Sequence, residues 1–163
     1  MPRRTHIYTV HLDWTGNRGT GTSGYTAYDR THTLTAPLRP AIAGSSDPTF
    51  RGDPACWNPE QLLVASLAAC HQLWYLHLAA AAGIFVTAYE DDAEGEMAED
   101  ADGGGRFTAV TLRPRVTIAG GDAGQAQALH AEAHRLCFIA RSVTVPVRHE
   151  PVTIAADPVS SPA

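Results

Sequence analysis

Asn58-Pro59-Glu60-Gln61-Leu62-Leu63-Val64-Ala65-Ser66-Leu67-Ala68-Ala69-Cys70-His71-Gln72-Leu73-Trp74-Tyr75-Leu76-His77-Leu78-Ala79-Ala80-Ala81-Ala82-Gly83 decides how this chain folds. Asn58 suits an N-cap, Pro59 the first helical position and Glu60 the positive end of a helix dipole. No breaker follows until Gly83, which suits a left-handed C-terminal cap. The spacing therefore predicts one long helix ending at Ala82. From Leu62 to Ala82 it is almost wholly apolar and, at about 20 residues, long enough to cross a bilayer. Yet it carries Ser66, His71, Gln72 and His77, is rich in weakly lipophilic alanine, and has no flanking Lys/Arg cluster. A helix apolar on all sides is otherwise a buried central helix, and that is the expectation here.

Outward toward the N-terminus lies a long irregular stretch marked by Pro37, Pro40, Gly44-Ser45-Ser46-Asp47-Pro48 and Gly52-Asp53-Pro54. Before it, Tyr25–Leu34 reads as a strand returning from a Gly/Thr turn over Thr15–Gly24. Ile7–Trp14 alternates, with Tyr8, Val10, Leu12 and Trp14 on one face, as a half-buried strand does. Toward the C-terminus, Ile84–Met97 reads as extended and Asp102-Gly103-Gly104-Gly105 as a turn. Phe107–Ile118 alternates with Val110, Leu112, Val116 and Ile118 on one face. A second helix is expected over Gln125–Ala140, with Ala126, Leu129, Ala133, Leu136 and Ala140 as its apolar stripe. Val143, Val145 and Val147 suggest a last strand before a polar tail. The order is α+β, in a single domain: a strand lobe over about 1–57, the helix over about 59–82, and an α+β lobe over about 84–155.

The chain has 163 residues, enough to bury a core without disulfide staples. Twelve basic against seventeen acidic residues give a net charge of -5, which argues against nucleic-acid binding. Three cysteines and no visible targeting segment indicate the cytosol.

Gly19-Thr20-Gly21-Thr22-Ser23-Gly24 matches a dinucleotide fingerprint, but Tyr25-Thr26-Ala27-Tyr28 reads as strand where that motif needs a helix. His130-Ala131-Glu132-Ala133-His134, with Cys137 three residues on, admits a His-His-Cys zinc site. Glu132 stands one place late for a metalloprotease, and no fourth ligand has the right spacing. The histidines are read as polar residues flanking the stripe, and neither metal nor other cofactor is expected. Residue type alone leaves Cys70 open between a small buried hydrophobe and a reactive thiol. His71 points about 100° away from it around the helix. Cys56 has no recognisable context.

Taken together, Thr15-Gly16-Asn17-Arg18, Asn58-Pro59-Glu60-Gln61-Leu62-Leu63, Ala68-Ala69-Cys70 and a second cysteine at Cys137 resemble the OsmC/Ohr family of organic hydroperoxide reductases. The resemblance spans nearly the whole chain, and Asn-Pro-Glu with Cys ten residues after the Glu is its most specific part. It implies antiparallel sheets wrapped around long central helices in an intertwined homodimer. It also implies a peroxidatic role for Cys70, a resolving role for Cys137, and the family's glutamate in Glu60. A dithiol of the lipoyl type would restore the thiols. Arg18 and Arg51 are alternatives for the active-site arginine, whose guanidinium would hold thiolate and peroxide. Two departures mark a divergent branch: His71 stands where the family's peroxidases carry Phe, and Phe138-Ile139-Ala140 replaces the Pro-Tyr-Ser that follows the second cysteine in the Ohr branch.

Ten helical residues place Glu60 about 15 Å along the axis from Cys70. A site using both therefore draws Glu60 from a second subunit. Around Cys70 the helix surface carries Ser66, Leu67, Leu73 and Trp74, with Tyr75 and Phe138 nearby. So apolar a wall favours a peroxide bearing a hydrocarbon group, with Leu67, Leu73, Trp74 and Phe138 as substrate-binding candidates. The alternatives are a non-catalytic protein binding a lipid-like molecule in the same place, and a metal module built on His130, His134 and Cys137.

Overall fold

The computed structural model describes residues 4–156. The chain forms two compact units, Met1–Leu62 and Leu63–Ala163, whose boundary falls inside the long helix.

In the first unit, β1 (His11–Trp14), β2 (His32–Thr35) and β3 (Ile42–Gly44) form an antiparallel sheet in that order. The strand expected from Ile7 begins only at His11, and the one expected from Tyr25 only at His32. The connection explains this. Asn17 Oδ1 accepts the N–H groups of Gly19 and Gly21, both at positive φ, and Arg30 donates to the carbonyls of Tyr25 and Tyr28. These bonds hold a compact loop instead of a ladder. The loop leads into β2 and not into a helix, so the glycines are a turn between strands. β3 lies within the stretch read as irregular, being too short to show a period. The apolar face is also not half-buried as expected: Tyr8, Val10 and Leu12 are exposed.

α1 (Pro59–Ala81) begins with a reciprocal capping box: Asn58 Oδ1 accepts the Gln61 N–H at 2.7 Å, and Gln61 Oε1 accepts the Asn58 N–H at 3.3 Å. Gly83, at φ 70°, lets the Ile84 N–H reach the Ala79 carbonyl at 2.9 Å and closes the helix.

The second unit continues with β4 (Phe85–Asp91), β5 (Glu94–Glu99), β6 (Gly105–Leu112), β7 (Pro114–Gly120), α2 (Ala123–Leu136), β8 (Val147–His149) and β9 (Val152–Ala155). They make two sheets, β4-β7-β9 and β5-β6-β8. Each extended stretch expected here is thus two strands that change sheet at one corner. Arg113 leaves the ladder there, and Pro114 has no N–H to give. The Arg113 N–H donates to Asp91 Oδ1 at 2.7 Å, while its guanidinium pairs with Glu94 at 3.1 Å and Glu150 at 3.3 Å. The pleat keeps its phase through the corner, since Val110, Leu112, Pro114, Val116 and Ile118 are all buried.

Asp122 caps α2 by accepting the Gln125 N–H at 2.6 Å, so the helix starts two residues before Gln125. It stops at Leu136, four residues short of Ala140, because Cys137 adopts an extended backbone with ψ 114°. Its buried residues are Ala126, His130 and Ala133, with Leu129 and Leu136 partly buried, so His130 joins the expected stripe. α1 buries a single stripe, Leu67, His71, Tyr75 and Ala79, and is not the wholly buried helix expected. Leu67 packs with Val110 and Leu112 in one apolar cluster. Tyr75 and Ala79 pack with Val116, Ile118, Ala126 and Ala133 in another.

Candidate redox site

Cys70 projects from the middle of α1 and is partly buried; Cys137 ends α2 and is buried. The Cys70 thiol is close enough to act on that of Cys137. Burial pushes the Cys137 thiol up to about 11, the Ala140 N–H that its Sγ accepts at 3.4 Å works against that, and the neighbouring Cys70 thiol raises it further. The pair is therefore asymmetric. Cys70 is the less buried of the two, and burial raises the Cys137 thiol above its ordinary value. Two adjacent thiols of this kind can close a disulfide once the first is oxidised.

The flanking aromatics meet here: the Trp74 and Phe138 rings lie edge to face at 5.5 Å, and Phe138 is 64% exposed. Leu67, counted among the substrate-binding candidates, is a fully buried core residue, because its side chain points down the α1 stripe into the cluster with Val110 and Leu112. Leu73 points to the opposite side and is 66% exposed. The Ser66 hydroxyl is spent on the Leu63 carbonyl at 2.7 Å.

Glu60, Arg18 and Arg51 belong to the first unit. Glu60 is partly buried, with one carboxylate oxygen that has no partner. Arg18 donates to the Thr26 carbonyl and faces Asp29 at 3.7 Å. Arg51 sits in the left-handed region at φ 66° after the 3-10 turn Pro48–Phe50, its guanidinium 6.0 Å from the Tyr25 ring centroid. That backbone is costly for a residue with a side chain.

Sequence reasoning missed a cluster of imidazoles on the two helices that carry the thiols. His71 and His130 are both fully buried, with Nε2 of His71 3.0 Å from Nδ1 of His130 and rings nearly parallel at 5.3 Å. His149, the last residue of β8, lies 5.7 Å from the His71 ring and 5.3 Å from that of His134. Tyr75 stacks on His130 at 4.1 Å. Burial and then the neighbouring imidazoles lower His71 to about 4 and His130 to about 3; burial also lowers His149. The signal was present: positions 67, 71, 75 and 79 recur every four residues, so His71 shares the face of three core residues.

The residues of the possible zinc site do not converge. His130 turns to His71, His134 to His149, and Cys137 to Cys70. Among the described residues, no three His, Cys, Asp or Glu side chains are grouped as a metal centre.

Paired thiols where two helices meet, on an α+β fold of bent three-stranded sheets, define a recognisable class of protein. The chain belongs to the OsmC family: the family described as OsmC-like protein matches residues 52–151. Among solved structures it is similar to an OsmC-like protein of unknown function from Vibrio cholerae, at 30% identity and a TM-score of 0.81 over 91% of this chain and 100% of that one. An organic hydroperoxide resistance protein OsmC from Legionella pneumophila matches at 22% identity and a TM-score of 0.63, over 93% and 100% of the two chains. The organic hydroperoxide resistance protein OhrB of Bacillus subtilis matches at 22% and 0.58, over 89% and 98%. The last two share the fold. No curated protein matches the chain.

Proposed function

We propose that this protein is a thiol peroxidase that reduces organic hydroperoxides to alcohols. The observation that carries the reading is a partly buried Cys70 in α1 near a buried Cys137 at the end of α2, whose thiol is raised first by burial and also by Cys70. The Cys70 thiolate attacks the distal peroxide oxygen, the O–O bond breaks, and the alkoxide takes a proton and leaves as alcohol. The Cys70 sulfenic acid then condenses with Cys137, forming the disulfide and releasing water. A dithiol of the lipoyl type returns both cysteines to thiols by exchange and leaves as its own disulfide.

The same reading makes the working form a homodimer in the cytosol. α1 leaves Ala65, Ala69 and Leu73 exposed on the face opposite its buried stripe, and Phe85 is 67% exposed. A second copy covering such apolar surface explains a helix that is apolar on every side yet buries one stripe. Glu60, about 15 Å along the helix from Cys70 of its own chain, then serves the site of the other. Mass spectrometry after one equivalent of cumene hydroperoxide tests the chemistry. A Cys70–Cys137 disulfide with release of the alcohol is expected. Peroxide left unconsumed by fully reduced protein would leave a ligand-binding protein on this fold.

A further inference from the structure

Apolar packing would serve the middle of α1 as it serves both ends, yet the buried stripe passes through His71. Its ring is joined to His130 across the interior, and the join ties together the two helices that carry the thiols. Cys70 precedes His71 on α1; His130 stands seven residues, two turns, before Cys137 on α2. The Cys137 N–H donates in turn to the carbonyl of His134 at 3.2 Å.

The protons of the pair are countable. Two neutral imidazoles share one hydrogen bond, with His71 donating or His130 donating. Either tautomer leaves one N–H and one lone pair, on His71 Nδ1 and His130 Nε2, buried without a partner. Among the described residues of one chain, a proton taken up here finds no carboxylate paired with either ring. From α1 the neighbour is Tyr75, stacked on His130; from β8 it is His149, beside His71; and His134 of α2 lies against His149. Beyond Tyr75 stand Tyr89 and Asp91 of β4, and Asp91 accepts the Arg113 N–H. Glu150, next to His149, is paired with Arg113, and Glu132 of α2 with Arg135. Every group acting on the pair is another imidazole, which repels the added charge.

We propose that the His71–His130 pair, backed by His134 and His149, is a positioning clamp that holds Cys70 and Cys137 within disulfide reach and lets them part when it is protonated. The clamp rests on the reading of the two cysteines as a redox pair and adds to it an acid-sensitive control. A charged, unpaired imidazole is relieved by admitting water between α1 and α2. Opening there separates the sulfurs.

The test uses diamide, which needs no peroxide pocket: two thiol hydrogens pass to its N=N bond, giving a hydrazine and the protein disulfide. Single-turnover formation of the Cys70–Cys137 disulfide is followed by acid quench and mass spectrometry from pH 7.5 to 4.5. The wild type is compared with the His71→Gln/His130→Gln protein, whose amides keep a hydrogen bond but take no proton. Thiolate loss slows both proteins alike, so it cancels in the ratio of rates. The variant-to-wild-type ratio should stay level above pH 6.5 and rise at least tenfold by pH 4.5. A ratio constant within twofold overturns the clamp and leaves the redox pair intact. No disulfide in wild type at pH 7.5 overturns both. If the double variant does not fold, nitrogen-15 spectra of wild-type imidazoles decide. Two rings that stay neutral below pH 6 and share one N–H support the clamp; all rings titrating together near 6.5 in folded protein overturn it.

Discussion

The second unit has two hydrocarbon clusters and, between them along α1, one polar layer. Leu67 with Val110 and Leu112, and Tyr75 with Val116 and Ile118, are packed as any small interior is packed. His71 sits in the same stripe but answers to its hydrogen bond with His130 and to pH. Hydrocarbon contacts are indifferent to redox state and to protons, whereas the imidazoles respond to protons and thiols respond to oxidants.

The harshest way to break the comparison is at the thiols. Cys70→Ser should lower organic-peroxide turnover by more than about 1000-fold, while Cys137→Ser still consumes one equivalent of peroxide and accumulates sulfenic or sulfinic acid. Steady-state kinetics and mass spectrometry read the two outcomes, and normal turnover in Cys70→Ser would disprove the assignment. Leu67→Ala probes the hydrocarbon side. It should cost about 3 kcal/mol in urea unfolding, by the same amount at pH 5 and pH 8, since the loss is transfer and cavity energy alone.

The imidazole layer should behave in the opposite way. His71 and His130 have folded values below their ordinary 6.5, so the unfolded chain binds more protons than the folded one as pH falls beneath 6.5. Stability from the pair is complete above that pH and is lost on acidification, His71 down to about 4 and His130 to about 3. By pH 5 the loss is about 2 kcal/mol for each ring, from roughly 1.4 kcal/mol per pH unit. Urea midpoints from pH 8 to pH 5 check this, and a wild-type stability level across that range would remove the distinction between the layers. The smallest effect is expected at the open edge of the site. Trp74→Ala, which removes the partner of Phe138, should reduce kcat/KM for cumene hydroperoxide about fivefold more than for hydrogen peroxide. Equal losses for both peroxides would show that Trp74 only packs.

Much of this was legible along the chain, because it is decided locally. The Asn58–Gln61 cap, the run of α1 and its stop at Gly83 follow from backbone groups satisfied within a few residues. The alternation from Val110 to Ile118 follows from the pleat, which survives even the corner at Arg113. Membership of the family was legible from Asn58-Pro59-Glu60 and Cys70 in their spacing. What the sequence could not decide was which neighbour each face would find. The Asp91, Glu94 and Glu150 partners that hold the corner at Arg113 come from two segments, the β4–β5 connection and the end of β8. The uncovered faces of α1 and of β1 carry the same apolar code as covered ones. His130 read as a residue beside the stripe because an imidazole carries no apolar signal, and only its partner across the interior accounts for its burial. The four imidazoles lie at positions 71, 130, 134 and 149, and only tertiary folding makes them one group, since a hydrogen bond across 59 residues has no signature in either local sequence.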